Sequence, residues 1–171
     1  EDAPRALRYL LLAADAAFER YAVVEAIEHY SRALATAREV GPAVAVPWLR
    51  LYQNLGRALE LDSRYERAVE TYGEMQEVAR AHGDRAMELV ALIEHAKVHA
   101  TPTAVHNAAQ GQALAEQALA LARKSGDRPA EARIEWVLLI VNWMQGETTA
   151  ALAHGERSLA LAREMGLREQ L

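Results

Sequence analysis

His95 and His99 stand four residues apart, with Glu94 beside them and His106 a little further along the chain. On a helix that spacing sets two imidazoles on one face, so a metal-dependent hydrolase built on His95, His99 and His106 is the catalytic chemistry this pattern permits. Against it, the flanking residues match no zinc-protease pattern, and both histidines fall at packing positions of their helix, where half-buried imidazoles are ordinary. The serines Ser31, Ser63, Ser125 and Ser158 lack the sharp glycine-flanked turn that exposes a nucleophile. Carboxylate pairs such as Glu66 and Glu70 are what a solvated helix face carries. The nearest glycines, Gly146 and Gly155, are nine residues apart, too far to bring several backbone amides onto one phosphate. With no cysteine there is no thiolate, disulfide or sulfur-ligated metal. The expectation is no catalytic residue, no metal and no cofactor: a chain that is not an enzyme.

The elements that would position any such residue are helices. Of the 171 residues 51% are hydrophobic and 25% charged, as in soluble globular proteins, and the hydrophobic share is carried largely by alanine and leucine, which lose little entropy in a helix. The formal net charge of -5 removes the basic footprint needed for direct nucleic-acid contact or for an anionic membrane surface. The longest strongly apolar stretch, Trp136 to Met144, is interrupted by Asn142 and falls far short of the roughly 20 residues that span a bilayer. The chain opens Glu1-Asp2 without a basic and then apolar start, so a cytoplasmic location is expected.

One phrase, Ala-Arg-x-x-Gly, returns four times, beginning at Ala37, Ala79, Ala122 and Ala162, at intervals of 42, 43 and 40 residues. Each occurrence reads as a helix end: a cation near the negative pole, then a glycine able to take the left-handed conformation (Gly41, Gly83, Gly126, Gly166). Asp84 and Asp127 follow two of these glycines and suit the N-cap of the next helix. Upstream of the second phrase, Tyr65, Ala68, Tyr72 and Met75 recur at helical spacing, and the preceding run sets Tyr52, Leu55, Gly56 and Leu59 on one stripe. Gly56 lets a neighbouring helix approach closely, with Ala68 expected opposite it, and the two runs join near Asp62-Ser63-Arg64 as an antiparallel hairpin.

Leu55-Gly56 followed by Tyr65, Ala68, Tyr72 and Met75 resembles the tetratricopeptide repeat, at 40 to 43 residues instead of the usual 34. The first unit matches through Ala13-Ala14, Ala26, Tyr30 and Ala33, with Tyr21 where a turn glycine is common, and the fourth through Gly146, Ala151 and Leu159. The third fits least well, because Pro102 lies in an insertion before Gly111, Ala115 and Ala118. The resemblance implies an all-α fold, a right-handed superhelical array of antiparallel helix hairpins, an α-solenoid of about eight helices. These are expected near 4–20, 23–40, 46–61, 65–82, 85–101, 106–125, 129–145 and 148–165. The whole of 1–171 then reads as one array of repeats at about 4–41, 42–83, 84–126 and 127–166, with 167–171 beginning a further helix of a longer protein.

Repeats of this length ending in Ala-Arg-x-x-Gly-Asp resemble those attached to bacterial signal-transducing ATPases, transcriptional regulators and nucleotide cyclases. The opening from Tyr9 through Tyr30 resembles the junction where such an array begins. That likeness implies a regulatory scaffold that binds a protein or peptide and relays the event to an adjacent ATPase or output domain; an autonomous adaptor or peptide sensor is the alternative. In such arrays the first helix of each pair lines the concave face. Its candidate contacts here are Arg50, Gln53, Asn54, Arg57 and Glu60 in the second unit and Arg133, Trp136, Ile140 and Trp143 in the fourth. A guanidinium-rich patch beside an aromatic one suits a peptide with acidic and apolar positions. Equally, Arg50 and Arg57 could simply keep a helix face solvated, and Trp136 and Trp143 could belong to the core or pack against a further repeat. Asn54 invites comparison with tetratricopeptide clamps that grip a C-terminal carboxylate, but Leu11, Asp15, Val90 and Glu94 stand where those clamps need basic and amide side chains. Apolar residues on the last helix, such as Leu159 and Leu161, predict self-association through the C-terminal repeat.

Overall fold

The computed structural model describes residues 2–40 and 45–166. Eight helices and no strand form among the described residues: α1 (Asp2–Glu19), α2 (Val23–Glu39), α3 (Trp48–Leu61), α4 (Tyr65–His82), α5 (Arg85–Ala100), α6 (Ala108–Ser125), α7 (Arg128–Met144) and α8 (Thr148–Glu164). Gly41, expected to close the first repeat, and residues 167–171, expected to begin a further helix, lie outside the described residues. No described helix is long and apolar enough to cross a membrane.

The chain divides into two compact units, Glu1–Met75 and Gln76–Leu171, the division falling within α4. In the first unit α1 packs on α2 and α2 on α3. Alanines carry much of this contact, with Ala14, Ala17, Ala26 and Ala33 fully buried, and between them sit the large side chains Tyr30, Tyr52 and Tyr72. In the second unit α5 packs on both α6 and α7, and α7 on both α6 and α8. Its core is Leu89, Leu92, Ile93, Leu114, Ile134, Leu138, Val141 and a set of buried alanines.

The helix ends follow from local chemistry. Gly126 takes φ 71 at the end of α6, and Asp127 then accepts from the amide of Ala130 at 2.9 Å to start α7. Asp84 accepts from Met87 in the same way at the start of α5. Thr101 is pushed to extended backbone before Pro102, which ends α5 at Ala100. α6 starts at Ala108, two residues later than expected, because the amide of His106 turns back onto Thr103 and Asn107 serves as the N-cap for Gln110. Inside the pairs, the turn position is left-handed at Tyr21 (φ 58), Ser63 (φ 58) and Gly146 (φ 81). Only the last is glycine, so the first two turns carry the strain of a Cβ in that region.

The close approach at Gly56 is made by Tyr72 rather than by Ala68. A Cβ at Gly56 would overlap the Tyr72 ring, which is fully buried and whose hydroxyl donates to Glu60 Oε1 at 2.6 Å. The α7–α8 pair reverses the arrangement: at Gly155 a Cβ would lie 2.7 Å from Leu139 Cδ1. Leu139 and Gly155 stand 83 residues after Gly56 and Tyr72 respectively, so the knob and the hole have exchanged helices between two pairs in the same register.

Candidate functional site

Because α5 and α7 lie side by side, a valley runs between them, and it holds a cavity of about 680 Å³. Its floor is apolar, made by Ile93, Ala132 and Val137, each no more than 4% exposed. On the rim stand Arg133, Ile140 and Trp136, the last 55% exposed although it is the largest apolar side chain of the site. Glu94, Lys97 and Thr101 of α5 form the opposite wall, where Lys97 is ion-paired to Glu94. Arg133 makes no ion pair among the described residues and lies one helical turn before Trp136, so guanidinium and indole share a face.

α7 is held in place by polar groups that the apolar pattern gives no hint of. Glu135, 2% exposed, accepts from Arg157 Nε at 3.0 Å and lies 2.7 Å from His154 Nδ1 on α8 and 3.4 Å from Arg123 on α6. Ser158 of α8 donates to the buried carbonyl of Ala132 at 2.9 Å, directly under the valley. A buried carboxylate is tolerated only with such partners. The signal that could have revealed it is Glu131, Glu135 and Asn142 recurring on the same stripe as Leu138, with cations at helical spacing on α6 and α8.

The nine residues expected to meet a partner separate into three places. Arg133, Trp136 and Ile140 come together on the valley's rim. Trp143 lies apart from them, in a second cavity of about 470 Å³ lined with Leu139, Leu152, Gly155 and Leu159. The α3 set is largely tied up inside the first unit. Arg50 is ion-paired with Asp15 of α1; Asp15 accepts from the Tyr30 hydroxyl at 2.7 Å; Asn54 donates to that hydroxyl at 3.1 Å. Burial first, and then the bond to Asp15, raise the Tyr30 hydroxyl well above the ordinary phenol range. Glu60 holds Tyr72, Gln53 is half-buried and Arg57 is exposed. The acidic Asp15, already noted as a departure from carboxylate clamps, is thus the counter-ion of the very arginine that would have met a ligand there.

The His95 and His99 rings lie with centroids 5.1 Å apart, tilted at 31° to each other. His99 places Nδ1 2.9 Å from the Val105 carbonyl and braces the 101–107 connection. Burial, and secondarily His99, push the His95 imidazole down to about 4. Among the described residues no group of three or more His, Asp or Glu side chains converges as a metal site would require.

Residues 98–164 match the family described as Tetratricopeptide repeat. No curated protein matches the chain. Among solved structures, the apo form of RapI is similar with a TM-score of 0.85 at 16% identity, over 97% of this chain and 59% of that one. Aspartyl phosphate phosphatase F from Bacillus subtilis is similar with a TM-score of 0.82 at 12% identity, over 99% of this chain and 43% of that one. Likeness at such identity shows the fold alone, a tetratricopeptide-like array of helix hairpins, and the chain spans less than two thirds of either protein.

Proposed function

We propose that this chain is a protein-interaction module, a regulatory scaffold that holds a segment of a partner in the valley between α5 and α7. The observation that carries this reading is the juxtaposition on α7 of Arg133 with Trp136, which is 55% exposed beside an apolar floor. Arginine and tryptophan are the side chains most often found to anchor interfaces, and tetratricopeptide-like folds are protein-binding folds. The module consists of four hairpin repeats of about 40 residues, works in the cytoplasm, and relays partner binding to an adjacent ATPase or output domain of a larger signalling or transcription-control protein. The resemblance of its repeats to those of bacterial signal-transducing proteins supports that setting. No catalytic role is assigned: of the groups nearest to chemistry, Glu94 is ion-paired to Lys97 on its own helix, and His99 and Ser158 each hold another part of the fold.

A photo-crosslinking residue placed at Arg133 in the native cells should give a discrete adduct with one partner, and the same residue at the exposed Ala160 of α8 should not. Equal adducts at both positions, or none at Arg133, would remove the valley from the account.

A second surface supports a second reading. Trp143 and Leu152 are 65% and 64% exposed around the α7–α8 cavity. A contiguous apolar face of this kind favours association of two copies through the last hairpin.

A further inference from the structure

The charges around the valley specify more than that something binds. Resting on the reading above, we infer that the valley selects a peptide segment in which a bulky apolar side chain lies two positions from an aspartate or glutamate. Ile93, Val137 and Ile140 offer an apolar side chain a surface beside Trp136. Of the three charged side chains that line the valley, Glu94 and Lys97 satisfy each other, which leaves Arg133 as the charge without an ion-pair partner among the described residues. Its planar fork matches a carboxylate in two parallel hydrogen bonds, a geometry that an amide reproduces poorly and an ammonium opposes.

The spacing of the two anchors fixes the separation of the ligand's groups. Arg133 and Trp136 are one turn apart on one helix face, about 5–6 Å between their Cβ atoms. Next-but-one side chains of an extended peptide share a face and span a comparable distance, at roughly 3.3 Å per residue. A single acidic residue two positions from a single apolar one therefore meets both anchors without strain. The chain's net charge of -5 repels an acidic partner at long range. Discrimination must then come from the contact itself and appear in the dissociation constant rather than in electrostatically accelerated association.

The test uses the ¹⁵N-labelled chain and three hexapeptides, acetylated and amidated so that the side chain is their only charge, carrying Phe-Ala-Asp, Phe-Ala-Asn or Phe-Ala-Lys at the centre (the Phe-Asp, Phe-Asn and Phe-Lys peptides). The indole N–H resonance of Trp136 reports binding, with Trp48 and Trp143 as references in the same spectrum. The Phe-Asp peptide should shift the Trp136 resonance saturably, with a dissociation constant about tenfold or more below that of the Phe-Asn peptide, and the Phe-Lys peptide should be weakest. Arg133→Glu, a change at an exposed position, should reverse the order of the Asp and Lys peptides. Equal affinity for Phe-Asp and Phe-Asn at Trp136 would overturn the acidic preference and leave the valley as a binding site. No movement of Trp136 with any of the three peptides would overturn both.

Discussion

At Gly56, Gly73 and Gly155 the same substitution meets three different surroundings, and each predicts its own outcome. Helix propensity alone makes Gly→Ala worth about 1 kcal/mol of stabilisation. Gly73→Ala should realise that gain, because nothing lies within 4 Å of its Cβ position. Gly56→Ala should lose it and cost about 1–3 kcal/mol, since the Tyr72 ring is fully buried and anchored to Glu60. Gly155→Ala should be close to neutral, because the half-buried Leu139 tip can rotate away. Urea midpoints of the three variants check the order, and Gly56→Ala as stable as the parent would mean that Tyr72 does not fill that hole. His95 makes a prediction in pH. Its folded-state value of about 4 lies below the usual 6.5, so the unfolded chain takes up the proton first. The stability it contributes is complete above pH 6.5 and is lost as the pH falls towards 4, a loss on the order of 1–2 kcal/mol after discounting for partial exposure. His95→Gln should flatten the difference in unfolding free energy between pH 7 and pH 4.5 relative to the parent; an unchanged difference would contradict the burial of that imidazole.

At the scale of the element, the turns within the pairs are the clearest test. Tyr21, Ser63 and Gly146 hold equivalent left-handed positions, 42 and 83 residues apart. Ser63→Gly should therefore raise the unfolding free energy by about 1 kcal/mol, as relief of a strained Cβ, while Gly146→Ser should lower it by a similar amount. Differential scanning calorimetry on both variants reads the two signs. Most helix limits were legible in the sequence, because Asp84, Asp127 and the repeating Ala-Arg-x-x-Gly phrase mark them locally. The starts of α3 and α6 were not: α3, expected from 46, begins at Trp48 after Pro47, and α6 depends on His106 folding back onto Thr103 ahead of the Asn107 cap. The candidate valley was half legible. Exposed positions on α7 could be counted from the turn, which identifies Arg133, Trp136 and Ile140. The facing wall of Glu94, Lys97 and Thr101 depends on the register between two helices some 40 residues apart, and the Arg50–Asp15 pair on contact across 35 residues; neither leaves a local pattern.

For the molecule as a whole, the exposed Trp143 and Leu152 predict concentration-dependent association, visible in sedimentation velocity and abolished by Trp143→Ala with Leu152→Ser. A parent chain that stays monomeric at high concentration would show that this face is not an interface between copies. Two tryptophans on one helix separate the proposed seat of a partner, the valley between α5 and α7, from the α7–α8 face. Once a partner has been captured by crosslinking, calorimetric titration of the parent chain, Trp136→Ala and Trp143→Ala decides the matter. With the partner in the valley, Trp136→Ala should weaken binding by tenfold or more, at least about 1.4 kcal/mol, and Trp143→Ala should leave it unchanged. Undiminished affinity in Trp136→Ala, or a larger loss in Trp143→Ala, would contradict that seat.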